Sequence, residues 1–295
     1  MPHTDLLPSP LREWLLFVCL LPLSTSLLAT PSIDTWETSQ GAKVLFVAAP
    51  DLPMLDLRVV FPAGSARDGD RPGLASLTAD LLDQGAGDWD ADTIAERLEA
   101  VGAELGIEAQ RDMAAISLRT LTRESALDQA LETLVQIISR PRFAPADFNR
   151  VRANALVSLN RDDQDPATLG QKAFYRLLYG DHPYAIDPAG TPASLAALTP
   201  EDLRAFHARH YVARQAVIAL VGNITRPQAE AIAARITAGL TPGEPAPPLP
   251  PVPANATGNL ERIHFPSTQT HVFSGQAGMT RTDPDYFPLY VGNHI

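Results

Sequence analysis

Two histidines, His207 and His210, sit one helical turn apart in His207-Ala-Arg-His210. At i and i+3 they would share a helix face, with Glu201 or Asp202 near enough to add oxygen ligands. A zinc-peptidase helix spaces its histidines differently and sets a glutamate general base between them. A solvated helix face flanking Phe206 and Tyr211 therefore accounts for the pair better than a metal site. His182 lies in Gly180-Asp-His-Pro183, where a turn explains it more simply than acid–base work. Asp162, Asp163 and Asp165 form an acidic cluster, but the glycine and bidentate glutamate of a calcium loop are absent, so a solvated helix end is expected. Ser76 has no Gly-x-Ser-x-Gly elbow and no evident base, and is read as a small residue facing the sheet.

The elements that would position these residues follow from periodicity. Trp36–Thr38 and Lys43–Val47 flank a short turn and read as a hairpin, and Leu55–Phe61 is the next strand. Gly73 to Gly85 reads as a short helix with Leu74, Leu77 and Leu81 on one face, Pro72 at its entry and Gly85 at its exit. A helix capped by Asp90 or Asp92 runs through Val101. Glu104–Ala109 and Met113–Leu121 are two strands. Helices follow from Ser125 to Ser139, from Pro145 to about Asp165, from Leu169 to Leu178 and from Thr199 to Tyr211. Ala216–Val221 is a buried strand and Pro227–Ala238 an amphipathic helix. This order predicts an α+β domain, with helices packed on a mainly antiparallel sheet.

Residues 241–258 are rich in proline and small residues and read as an extended linker with little to bury. Beyond it, Leu260–Phe265 and His271–Gly278 look like strands, and Asp283-Pro-Asp285 like a helix start. Residues 259–295 are too few for a second core, so they are expected to be the start of a second domain and the chain a fragment or incomplete at that domain.

Around the Gly73–Gly85 helix the sequence resembles the pitrilysin/insulinase-like (M16) zinc peptidases, whose members include the mitochondrial processing peptidases. The resemblance rests on that helix and the Gly64-Ser65 loop before it, on Arg111-Asp-Met113, on Phe148-Asn-Arg-Val-Arg152 and on Gln164-Asp-Pro166. It continues through Tyr179-Gly-Asp-His-Pro-Tyr184, Phe206, Tyr211 and Val221-Gly-Asn-Ile224, and covers most of the chain. It implies a two-layer α/β sandwich of the metallohydrolase type shared by LuxS and the processing peptidases. One full domain would span residues 34–240, and a similar second domain would face it like a clamshell. In the family, this helix carries His-x-x-Glu-His. Aligning the flanking glycines puts Ser76, Ala79 and Asp80 at those three positions. The family's third ligand, a downstream glutamate, would fall near Val157 or Ser158. The resemblance thus implies the scaffold without the catalytic or metal residues.

Bulk properties narrow the setting. The chain has 295 residues, 45% hydrophobic and 19% charged, as expected of a globular protein. Its formal charge of -11 argues against a nucleic-acid partner or an anionic membrane surface. Residues 1–29 carry Arg12, an apolar run from Trp14 and small residues near Ala29, the layout of a cleaved signal peptide. The run is broken by Pro22, and an uncleaved anchor is the alternative. Cleavage would remove Cys19, the only cysteine.

The expected protein is exported, to the periplasm, and non-catalytic on its own. It would need no cofactor, with zinc held by a catalytic M16-type partner subunit, and together they would enclose a polypeptide substrate. The rival readings are an active zinc metalloendopeptidase with an unconventional site and a polypeptide-binding module without a protease partner.

Overall fold

A computed structural model of the protein describes residues 32–252 and 258–294. The proposed signal segment and Cys19 lie outside the described residues.

The chain opens with β1 (Asp34–Glu37), β2 (Lys43–Ala48) and β3 (Met54–Phe61), followed by a 3₁₀ turn over Ser65–Arg67 and α1 (Leu74–Asp80). A two-residue ladder, β4 (Gly85–Ala86) with β5 (Trp89–Asp90), leads into α2 (Ala91–Glu99). Next come β6 (Glu104–Ala109), β7 (Ala114–Leu121), α3 (Glu124–Ser139), α4 (Pro145–Asp162) and α5 (Pro166–Tyr179). The domain finishes with α6 (Pro192–Ala197), α7 (Pro200–His210), β8 (Val217–Gly222) and α8 (Arg226–Ala238). A further helix, α9, spans Tyr286–Gly292.

The main sheet has the order β1-β2-β8-β3-β7-β6. β8 runs parallel to β2, whereas β3 pairs antiparallel with both β8 and β7, and β7 with β6. The pleat explains which face is covered. Along β3, Leu55, Leu57, Val59 and Phe61 are buried while Asp56 and Arg58 are exposed. The buried side meets helices: α3 packs on β7, α8 on β2 and α1 on β6. Leu134, Ile137 and Ile138 of α3 join Leu57, Ile116 and Leu118 of the sheet in one core. The uncovered side carries cross-strand ion pairs, Asp56 with Arg119 at 2.7 Å and Arg58 with Glu108. This is the expected α+β, two-layer arrangement.

Capping chemistry sets the helix starts. Asp90 accepts from the Thr93 N–H, and Thr191 and Thr199 each close a capping box ahead of a proline. Three local expectations change. α1 ends at Asp80, because the chain turns at Leu81–Gln84 and Gly85 enters the β4–β5 ladder instead of ending the helix. α6 forms where no helix is expected, fixed by its capping box. Residues 260–265 and 271–278 form no strand, and no ladder forms there among the described residues, since a strand needs a partner edge.

Candidate functional site

α1 is held at both ends by loops. Before it, the Gly64 turn lies hard against the β6–β7 connection. A Cβ there would stand 2.4 Å from the Arg111 carbonyl oxygen, so no larger residue fits. Asp68, buried in the same loop, caps the helix across sequence. Its Oδ2 accepts from the Gly73 N–H at 2.9 Å and its Oδ1 from the Ala75 N–H at 2.8 Å. Burial raises the Asp68 carboxyl to about 7, and the backbone donors Ala75, Gly73 and Leu74 pull against that rise. The helix rests on β6, α7 and α4.

The three motif positions do not form a donor set. Ser76 Oγ donates to the Pro188 carbonyl at 2.8 Å, so it faces the 187–191 loop and not the sheet. Ala79 is 1% exposed and has no donor atom to offer. Asp80 has exposed surface but crowded surroundings. That crowding first, and the Asp83 charge second, raise its carboxyl above the ordinary range. Its charge also acts on Tyr211, a fully buried phenol that burial, above all, shifts upward. On α4, Val157 is 60% exposed and offers no ligand atom, and Ser158 is an exposed neutral hydroxyl. Among the described residues, no three His, Cys, Asp or Glu side chains converge. A catalytic zinc needs three such ligands and an open position, and the residues present do not fit one.

The histidine pair of α7 belongs to the core and not to a solvated face. His207 Nε2 lies 2.9 Å from the Ile138 carbonyl, and its ring stacks on Tyr211 with centroids 4.8 Å apart. His210 is buried against Phe206, at 4.6 Å between centroids. Burial pushes both imidazoles down to about 4, helped at His210 by Arg209 and Arg67. His207 keeps more exposed surface than His210, yet its ring sits in the denser packing, and the downward direction is common to both. Glu201 pairs with Arg204, and Asp202 closes the α7 capping box and pairs with Arg71, so neither serves the histidines.

The other candidates are structural. His182 accepts the Tyr184 N–H through Nδ1 at 3.1 Å, as a turn residue does. Asp165 caps α5 by accepting from the Ala167 and Thr168 N–H groups. Asp162 and Asp187 share Lys172, at 3.4 and 2.9 Å. Burial lowers the Lys172 pKa, but Asp187 and then Asp162 outweigh it, so the net shift is upward. These three line a cleft of about 410 Å³, with Arg111, Tyr175 and Pro188 on its other walls. Sequence reading missed Asp68 and Lys172. Asp68 lies five residues ahead of the first N–H it caps, outside the usual cap spacing, and Lys172 meets Asp187 only after folding.

Comparison with known proteins identifies the family. A model of the insulinase family, peptidase family M16, covers residues 43–191, half of the chain, and a model of the M16 inactive domain covers residues 197–295. The crystal structure of an M16 inactive domain from Pseudomonas fluorescens is 40% identical, with a TM-score of 0.73 over 74% of this chain and 53% of that one. An uncharacterized zinc protease of Mycobacterium leprae is 28% identical over 62% of this chain and 41% of its own length. YmxG of Helicobacter pylori, named a non-peptidase homolog, is 25% identical over 59% of this chain and 40% of its own. The chain spans about half the length of the curated relatives it matches. The chain belongs to the pitrilysin/insulinase-like M16 peptidase family, as a member whose motif helix carries no zinc-ligand set.

Proposed function

We propose that this chain is the non-catalytic subunit of an exported M16-type peptidase, completing a chamber around polypeptide substrates while a partner subunit holds the zinc. The observation that carries the proposal is the state of α1. The family's helix is kept, capped and packed, but Ser76 is tied to Pro188 and Ala79 is buried without a donor atom. The name of the Helicobacter pylori relative, a non-peptidase homolog, points the same way. β6 ends the sheet beside α1, and that edge would take an extended polypeptide by strand addition. The export reading rests on the composition of residues 1–29.

The test is peptide hydrolysis by the purified chain, alone and co-expressed with a zinc-bearing M16 chain from the same source, with zinc measured on each. The expected result is no hydrolysis and no stoichiometric zinc for this chain alone. Activity of the pair should exceed that of the zinc-bearing chain by itself. Chelator-sensitive cleavage by this chain alone would establish the metalloendopeptidase reading instead. Binding of polypeptide without any effect on the partner's activity would establish the plain binding module.

A further inference from the structure

The segment after α8 reads as a linker, but it is laid along the domain in register. From Glu244 to Val252 nearly every residue is a proline or precedes one. Proline fixes its own φ, and the residue before it is driven to extended backbone, so this stretch favours a polyproline II helix. Such a helix has three residues per turn and no internal hydrogen bonds. Its prolines have no N–H, so its backbone offers mainly carbonyl oxygens for donors to grip.

The domain supplies donors at that period. Gln215 Nε2 donates to the Glu244 carbonyl at 2.7 Å, Arg67 Nη1 to Pro247 at 2.6 Å and His182 Nε2 to Pro250 at 2.9 Å. His182 Nδ1 accepts the Tyr184 N–H, which leaves the ring proton on Nε2, where Pro250 needs it. Burial repeats at the same interval: Gly243, Ala246 and Leu249 are half-buried, and the residues between them are exposed. Two independent features, bonded carbonyls and half-buried residues, therefore share one threefold repeat. The strap is also anchored at its start. The Ala213 and Arg214 N–H groups donate to Thr241 and Pro242 at 2.9 and 3.0 Å. Gly243 turns with φ +66 so close to Val212 that a Cβ would meet its side chain at 2.4 Å.

The geometry points to a polyproline II-reading groove on the domain, formed by Gln215, Arg67 and His182, whose occupant is this chain's own residues 244–252. Arg67 and His182 belong to the loops before α1 and after α5, so the groove ties the linker to the loop that caps the motif helix. The linker acts as a clasped strut. It delivers the chain that follows it to a fixed place, and a free tether would not.

The test is a distance measurement by pulsed electron paramagnetic resonance on the full chain carrying Cys19→Ser. Spin labels go at Ala153→Cys, exposed on α4, and at Val252→Cys, exposed at the end of the strap. The expected result is one narrow distribution. Arg67→Ala with His182→Ala should release the strut, which then swings about Gly243 as a rod of about 25 Å and broadens the distribution severalfold. Pro247→Gly with Pro250→Gly, which alters no core residue, should broaden it as well. His182→Gln, which keeps a donor, should stay narrow. The inference is overturned if the parent distribution is already as broad as the released one, or if the narrow peak survives either double variant in folded protein.

Discussion

The helices α1 and α9 each run for seven residues, and they differ in almost everything else. α1 buries Leu74, Ala75, Leu77, Thr78 and Ala79, is capped by Asp68 and lies against β6, α4 and α7. α9 buries no residue and leaves Phe287, Leu289, Tyr290 and Val291 more than half exposed. Both are apolar, and among the described residues only α1 has a surface opposite it. A helix this short has almost no stability of its own, so its neighbours decide what it contributes. The comparison also shows how α1 differs from a metal-bearing helix: its second motif position has become part of the packing.

That contrast can be broken experimentally. The largest effect should come from Ala79→Glu, which restores the residue type of the family's general base at a position 1% exposed. An unpaired carboxylate there should cost about 3–5 kcal/mol, read as a fall in Tm. A stable Ala79→Glu protein would mean that the position opens onto a chamber, contrary to the packing described here.

Acid should act next. His207 and His210 beneath α1 are held near 4 against an ordinary 6.5. Their contribution to stability is complete above pH 6.5 and is lost as pH falls toward 4, on the order of 3 kcal/mol together. Asp68, raised to about 7 from 3.8, works in the opposite direction: its contribution is present below 3.8 and lost as pH rises through 7. His210→Gln should therefore flatten the fall in Tm between pH 6.5 and 4.

Asp68→Ala should cost about 1–2 kcal/mol at neutral pH, because the Gly73 and Ala75 N–H groups lose their acceptor. Leu289→Ser in α9 should change stability by less than about 0.5 kcal/mol in urea unfolding. A larger loss would show that α9 is packed in solution.

Much of this was legible from local chemistry. The alternation of Leu55, Leu57, Val59 and Phe61 marks a half-buried strand, and Thr199-Pro200 marks a helix start, because each signal lies within a few residues. The replacement of the family's His, Glu and His by Ser76, Ala79 and Asp80 is equally plain, since a change of side-chain type needs no coordinates. What could not be read is what depends on distant partners. The histidines of α7 look solvated until Ile138 and Tyr211 arrive. The grip on residues 244–250 comes from positions 67, 182 and 215, and nothing in the proline run itself names them.

The sheet order carries a further consequence for biosynthesis. β8 lies between β2 and β3, with Lys43 matched to Val217 across most of the domain's length. A ribosome therefore makes the outer strands long before the one that joins them. Until residue 222 has emerged, β2 and β3 each keep one edge without its partner strand. Pairing at such separation slows folding and exposes nascent chains to aggregation, so this domain should depend on holding factors during its synthesis.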